Sequence, residues 1–253
     1  METPGLISQV RRAAHDMALK SPLLRWRYGS APGDRLLIVP QGLRTVDPSF
    51  LTELDSGCLG LAGSVAPYAG GSPFAISAPS PAWSEALHSF GWIRHMRAAE
   101  TGQARQLAED WISDWAKRFR RQSGEAWAPD IAARRLIAML SNAGFLLNGT
   151  DPKFHDAYVA LANTHLQFLA RSYASAPDGM RRLQILTGIM YGGLCIADQE
   201  RLLADFEPAF GVELKRQILP DGSSVSRQTT SIVEIVLDLL PVSYTHLTLP
   251  TKA

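Results

Sequence analysis

Two adjacent arginines at the start of an apolar helical pattern are the most chemically pointed feature of the sequence. Arg181 and Arg182 follow the breaker Pro177-Asp178-Gly179. A guanidinium pair at a helix N-terminus suits a carboxylate or sulfate, because planar forks bind such anions bidentately and free backbone N–H groups add to the attraction. The competing reading is a solvated pair, or an ion pair with Asp178. Arg227, beyond the turn Pro220-Asp221-Gly222, offers a third cation or caps a neighbouring loop, and Asp221 reads as a turn-former. Trp127 opens the loop-like run Trp127-Ala-Pro-Asp130. It is the best placed of Trp83, Trp92, Trp111, Trp115 and Trp127 to stack on the C–H face of a pyranose, although tryptophans at helical spacing more often fill cores.

Other candidate groups point away from common chemistries. His88 and His95 share a helix face but stand too far apart for joint metal ligation, where i, i+4 spacing is usual. Asn163 and His165 face different directions on a helix. Cys58 and Cys195 cannot form a disulfide framework or a cysteine zinc site, and their small or apolar neighbours suggest buried free thiols. The GxGxxG, P-loop, HExxH, GxSxG and CxxC patterns are all missing, which argues against the commonest nucleotide and zinc-hydrolase sites. No metal or cofactor is expected. An inverting glycosidase needs two carboxylates across a cleft, and no convincing pair emerges. The basic run Arg118-Phe-Arg-Arg121, beside Lys117, suits the negative C-terminal end of a helix.

These groups must be positioned by a largely helical body. The chain has 253 residues, 46% of them apolar and 19% charged, with a formal charge of +1. That composition fits a globular fold, and the near-neutral balance removes the simplest electrostatic argument for a nucleic-acid partner. No stretch is apolar enough for a membrane-spanning helix. The N-terminal region shows no export signal, so a cytoplasmic location is expected, with the periplasm as the alternative.

Residues 1–82 read as an irregular lead-in packed on the main body. It starts with an amphipathic helix over Met1–Lys20 and has a strand-like run over Arg35–Val39, followed by turn-rich material over 64–82. Residues 83–241 carry about seven helical segments by periodicity, predicted over about 84–99, 102–121, 130–147, 151–174, 180–196, 199–218 and 228–240. Ser84 is expected to cap the first, Asp151-Pro152 to open the fourth, and Pro208 to kink the sixth. Thr187, Gly188, Gly192 and Gly193 let neighbours approach closely, which marks the fifth as an inner helix. Short loops and alternating polar and apolar helices predict an all-α body of antiparallel helical hairpins, with a bundle or α-solenoid as the rivals.

Three stretches, taken in order, resemble heparinase II/III-family proteins: Pro81-Ala-Trp-Ser-Glu-Ala-Leu-His-Ser-Phe-Gly-Trp92, then Trp127-Ala-Pro-Asp130 with Arg134-Arg-Leu-Ile137, then Gln217-Ile-Leu-Pro-Asp-Gly222. The likeness spans roughly residues 50–241. It implies an incomplete (α/α) toroid followed by a β-sandwich domain, and β-elimination on uronic-acid polysaccharides. That reaction needs a donor to neutralise the uronate carboxylate, a base for the C5 proton and an acid for the leaving oxygen. The family's Asn-His pair falls on Met180-Arg181-Arg182, and its Tyr and His positions hold Ser231 and Ile232. The usual catalytic set is therefore missing. The expected site is anion-binding, through Arg181, Arg182, Arg227 and Trp127, with catalytic residues unknown and an anionic polysaccharide as partner. The alternative is a non-catalytic glycan-binding or cell-envelope assembly protein. Residues 242–253 resemble a translated sequencing adapter and are expected to be non-native, so the β-sandwich domain would lie beyond this chain.

Overall fold

The computed structural model describes residues 33, 35–227, 233–234 and 236–241. The predicted Met1–Lys20 helix, Ser231, Ile232 and the 242–253 tail lie outside the described residues. Among the described residues the first elements are helix α1 (Phe50–Asp55) and a hairpin of β1 (Cys58–Leu61) with β2 (Ser64–Pro67). Seven helices follow: α2 (Pro81–His88), α3 (Ile93–Ala98), α4 (Gly102–Arg118), α5 (Pro129–Leu147), α6 (Pro152–Ser172), α7 (Met180–Cys195) and α8 (Glu200–Gln217). A further helical segment occupies 236–241. The fold is mostly helical, with one small antiparallel sheet.

Local chemistry explains most helix boundaries. Asp151 accepts a hydrogen bond from Lys153 N–H and Pro152 takes the first helical position of α6, as expected. At α2 the cap is Ser80 rather than Ser84: its Oγ accepts from Trp83 N–H, and Pro81 follows. The helix predicted over 84–99 is two helices. Phe90 adopts a left-handed φ of 59°, which ends α2 and turns the chain into α3. Burial of the Phe90 ring against Trp92 and Trp115 holds that conformation in place. Pro208 lies inside α8 without dividing it.

The lead-in differs more from expectation. Residues 35–39 form no strand, only a bridge between Leu36 and Ile196. The ladder instead falls on Cys58–Pro67, partly within the stretch read as turn material. Its two-residue turn, Ala62-Gly63, has positive φ at both positions, which matches the twist of the flanking strands. Cys58 is exposed, contrary to its apolar surroundings in sequence, whereas Cys195 is buried as expected. Phe50, Leu54, Leu59, Ala66 and Tyr68 join the helices in one continuous core.

The helices divide into two kinds. α5 and α7 are buried along most of their length, whereas α8 buries only Glu213. α7 packs on α5, α6 and α8, and α5 also packs on α3. The small residues of α7 make this possible. A Cβ on Gly188 would stand 3.0 Å from Ala133 Cβ of α5. One on Gly192 would meet Leu166 of α6 at 2.7 Å, and one on Gly193 Leu203 of α8 at 2.6 Å.

Candidate functional site

α3, α5 and α7 bring four arginines and the carboxylate of Asp130 to the wall of one groove of about 980 Å³. α3 contributes Arg94, His95 and Arg97; α5 contributes Asp130, Arg134, Ser141 and Asn142; α7 contributes Arg181, Gln184 and Tyr191. The Gly42–Asp47 segment adds Arg44, the tip of the β1–β2 hairpin forms another side, and Glu234 and Asp238 complete the lining. Among the described residues no side chain of α4, α6 or α8 lines it.

Helical periodicity explains part of this assembly. Arg134 and Ser141 stand seven residues apart on α5, which brings them to nearly the same face two turns apart. Near the start of α5, Asp130 pairs with Arg181 at 3.4 Å. The Gln184 amide, with its oxygen toward the guanidinium, accepts from Arg134 Nε and Nη2 at 2.7 Å each. Further along, Arg97 Nη1 donates to Ser141 O at 3.3 Å. Arg94 Nε donates to Thr45 O at 2.9 Å and Nη1 to Gly91 O at 2.8 Å. A Cβ on Gly91 would lie 2.8 Å from Arg94 Nη1 and push the guanidinium aside.

The arginines differ in how far they are neutralised. Arg44 is paired with both Glu234 and Asp238, at 2.8 and 2.7 Å. Arg94, Arg97 and Arg134 spend their hydrogen bonds on backbone carbonyls and an amide instead. Burial, then the charge of Arg44, push the Arg94 pKa down from its ordinary value. An arriving carboxylate would relieve that excess positive charge.

Two groove residues are of the types that accept protons in elimination chemistry, and both hold theirs. The Asp47 N–H donates to His95 Nδ1 at 2.7 Å. Burial and Arg94 lower the His95 pKa to about 4, so near neutral pH the ring is uncharged with its proton on Nε2. Tyr191 is buried, and burial raises its pKa, keeping the phenol protonated.

Of the four residues singled out from sequence, only Arg181 lines the groove, with its side chain 69% exposed. Arg182 turns the other way. Its Nη2 donates to Ala176 O at 2.5 Å, its Nη1 pairs with Asp178, and its guanidinium lies 5.6 Å from the Tyr173 ring centre. It therefore braces the loop before α7, the local role weighed against anion binding. The helix N-terminus beside it is also occupied: Glu213 Oε1 of α8 accepts from Gly179 N–H at 3.2 Å. Arg227 is exposed in the turn after α8, has a φ of 53°, and does not line the groove.

Trp127 is a core residue rather than a stacking platform. It is 4% exposed, its Nε1 donates to Phe119 O at 2.7 Å, and its ring stacks on His165 with centroids 4.6 Å apart. The same cluster encloses Arg135, which is fully buried. Arg135 Nε donates to His165 Nε2 at 2.7 Å, and Nη1 to His88 O and Ala126 O at 2.7 and 2.9 Å. Its guanidinium lies 4.0 Å from the Trp115 ring centre.

Sequence reasoning missed Arg94, Arg97 and the groove-facing role of Arg134. The seven-residue spacing of Arg134 and Ser141 was the one available signal, and it identifies a face without saying what lies opposite. No metal-holding group of three His, Cys, Asp or Glu side chains occurs among the described residues, and no described helix is long and apolar enough to cross a membrane. Compared with protein-family models, curated proteins and solved structures, the chain matches none of them.

Proposed function

We propose that this chain is the helical part of a heparinase II/III-like protein and that its groove binds uronic-acid-containing polysaccharide. The observation that carries the reading is the lining of the groove by α3, α5 and α7 together, with arginines on all three. Such a lining fits an incomplete (α/α) toroid whose buried inner helices face the ligand while α4, α6 and α8 lie behind them. The packing of α5 on α7, with α6 touching both, supports that arrangement. The resemblance of residues 81–92, 127–137 and 217–222 to the family supports it independently.

The mixed charge of the lining selects among anions. Carboxylates such as Asp47, Glu53 and Glu85 line the groove together with the arginines. A continuous phosphate backbone would be repelled by them, whereas a uronate chain offers carboxylates to the guanidinium forks and hydroxyls to the acidic groups. With His95 and Tyr191 both holding their protons, this lining favours binding over β-elimination. Elimination would draw its base from elsewhere.

Titration calorimetry with uronate polymers, alongside ultraviolet absorbance for an unsaturated product, tests the proposal. Binding without new absorbance is expected. Absence of binding to every uronate polymer overturns the proposal, and rising absorbance would restore the lyase reading.

A further inference from the structure

The groove contains two arginine stations separated along one helix. Arg134, held by Gln184 beside the Arg181–Asp130 pair, marks the start of α5. Arg97, held on Ser141 O, marks a point two turns further along, and Arg94 stands one turn from Arg97 on α3. At 1.5 Å per residue the seven residues from Arg134 to Ser141 span about 11 Å. This distance exceeds one pyranose ring. The second station also carries an unmet hydrogen bond: Asn142 is 5% exposed, its Nδ2 donates to Ala138 O at 2.7 Å, and its Oδ1 accepts from nothing among the described residues. Asn142 belongs to the groove wall beside Ser141.

On the glycan reading above, we infer that the groove takes a run of an acidic polysaccharide, with one uronate carboxylate at Arg134 and another, further along the same chain, at Arg94 and Arg97. A single uronic acid reaches one station only. Joining two such contacts in one ligand makes the second an intramolecular event, so affinity should rise steeply once a chain spans both.

The test measures calorimetric affinity for oligogalacturonates of increasing length, with galacturonate monomer and a neutral oligosaccharide as references. The expected result is a rise of tenfold or more, about one decade or better, at the length that first spans both stations, followed by a plateau. Arg97→Ala and Arg134→Ala should each abolish that rise, so that long chains bind the variant no more tightly than short ones do. Should Arg97→Ala perturb folding, Arg97→Lys keeps the charge and removes the fork, and should lose most of the rise as well. Monomer binding as tightly as the long chains, or long-chain affinity unchanged in the folded variants, overturns the two-station inference alone. Absence of wild-type binding to galacturonates of any length, with binding to other uronate polymers retained, also overturns it. Failure with every uronate polymer overturns the glycan reading with it.

Discussion

Arg134 and Arg135 are neighbours in sequence and occupy opposite environments. Arg134 is exposed on the groove, where an amide oxygen satisfies part of its guanidinium. Arg135 lies at 0% exposure among Phe90, Trp115 and Trp127, with three hydrogen bonds to an imidazole and two carbonyls and no carboxylate beside it. One residue type thus serves two purposes on adjacent positions of α5. A helical step of about 100° takes the side chain from the groove surface to an interior whose aromatic faces supply the electron density a carboxylate would otherwise provide.

The largest test of this contrast is Arg135→Ala. It opens a cavity and strands His165 Nε2 with two carbonyl oxygens, so a loss of about 3–5 kcal/mol is expected by urea denaturation. A loss below about 1 kcal/mol would mean that the cage is dispensable.

Acid comes next. Burial and Arg135 hold the His88 pKa at about 4, burial and Arg94 do the same for His95, and burial with Arg135 pushes His165 well below its ordinary value. The unfolded chain takes up these protons near pH 6.5. Stability from the three histidines is therefore intact above about pH 6.5 and is lost as the pH falls toward about 4. Thermal unfolding should follow that window, and His165→Gln should flatten its slope. An unchanged slope would place the acid sensitivity outside the caged cluster.

Glycine substitutions sharpen the picture on the next scale down. Gly188→Ala drives a methyl into the Cβ and backbone Cα of Ala133, at 3.0 and 3.1 Å, so destabilisation by about 1–3 kcal/mol is expected from overpacking. Gly211→Ala on α8 meets nothing within 4 Å and should stabilise by up to about 1 kcal/mol, through helix propensity alone. Equal effects at the two positions would contradict the division into inner and outer helices. The smallest expected change is in the stability of Arg134→Ala, within about 0.5 kcal/mol, measured in the same urea titration.

Legibility in sequence followed the range of the interaction concerned. The Asp151-Pro152 start of α6 and the close-packed glycines of α7 were readable because their causes lie within a few residues. The break at Phe90 was not, since a left-handed phenylalanine is held there by aromatic neighbours from the same turn and from α4. The β1–β2 hairpin was hidden by its Ala62-Gly63 turn, where the first position lacks the usual Asn, Asp or Gly. The groove was the least legible feature. Arg94, Arg97, Arg134 and Arg181 come from three helices, and which face of each turns inward depends on packing over distances that no local pattern encodes. Arg182 and Trp127 failed as site residues for the same reason, one drawn back to its own loop and the other into the aromatic core.

The carboxylate of Glu213 has an implication for how this protein would respond to change at its rear. It anchors the first residue ahead of α7 from α8, which among the described residues contributes nothing to the groove lining, and α7 carries Arg181 to the groove wall. Glu213→Gln would thus act as a remote lever, altering the aim of Arg181 in the groove from behind without itself entering the groove.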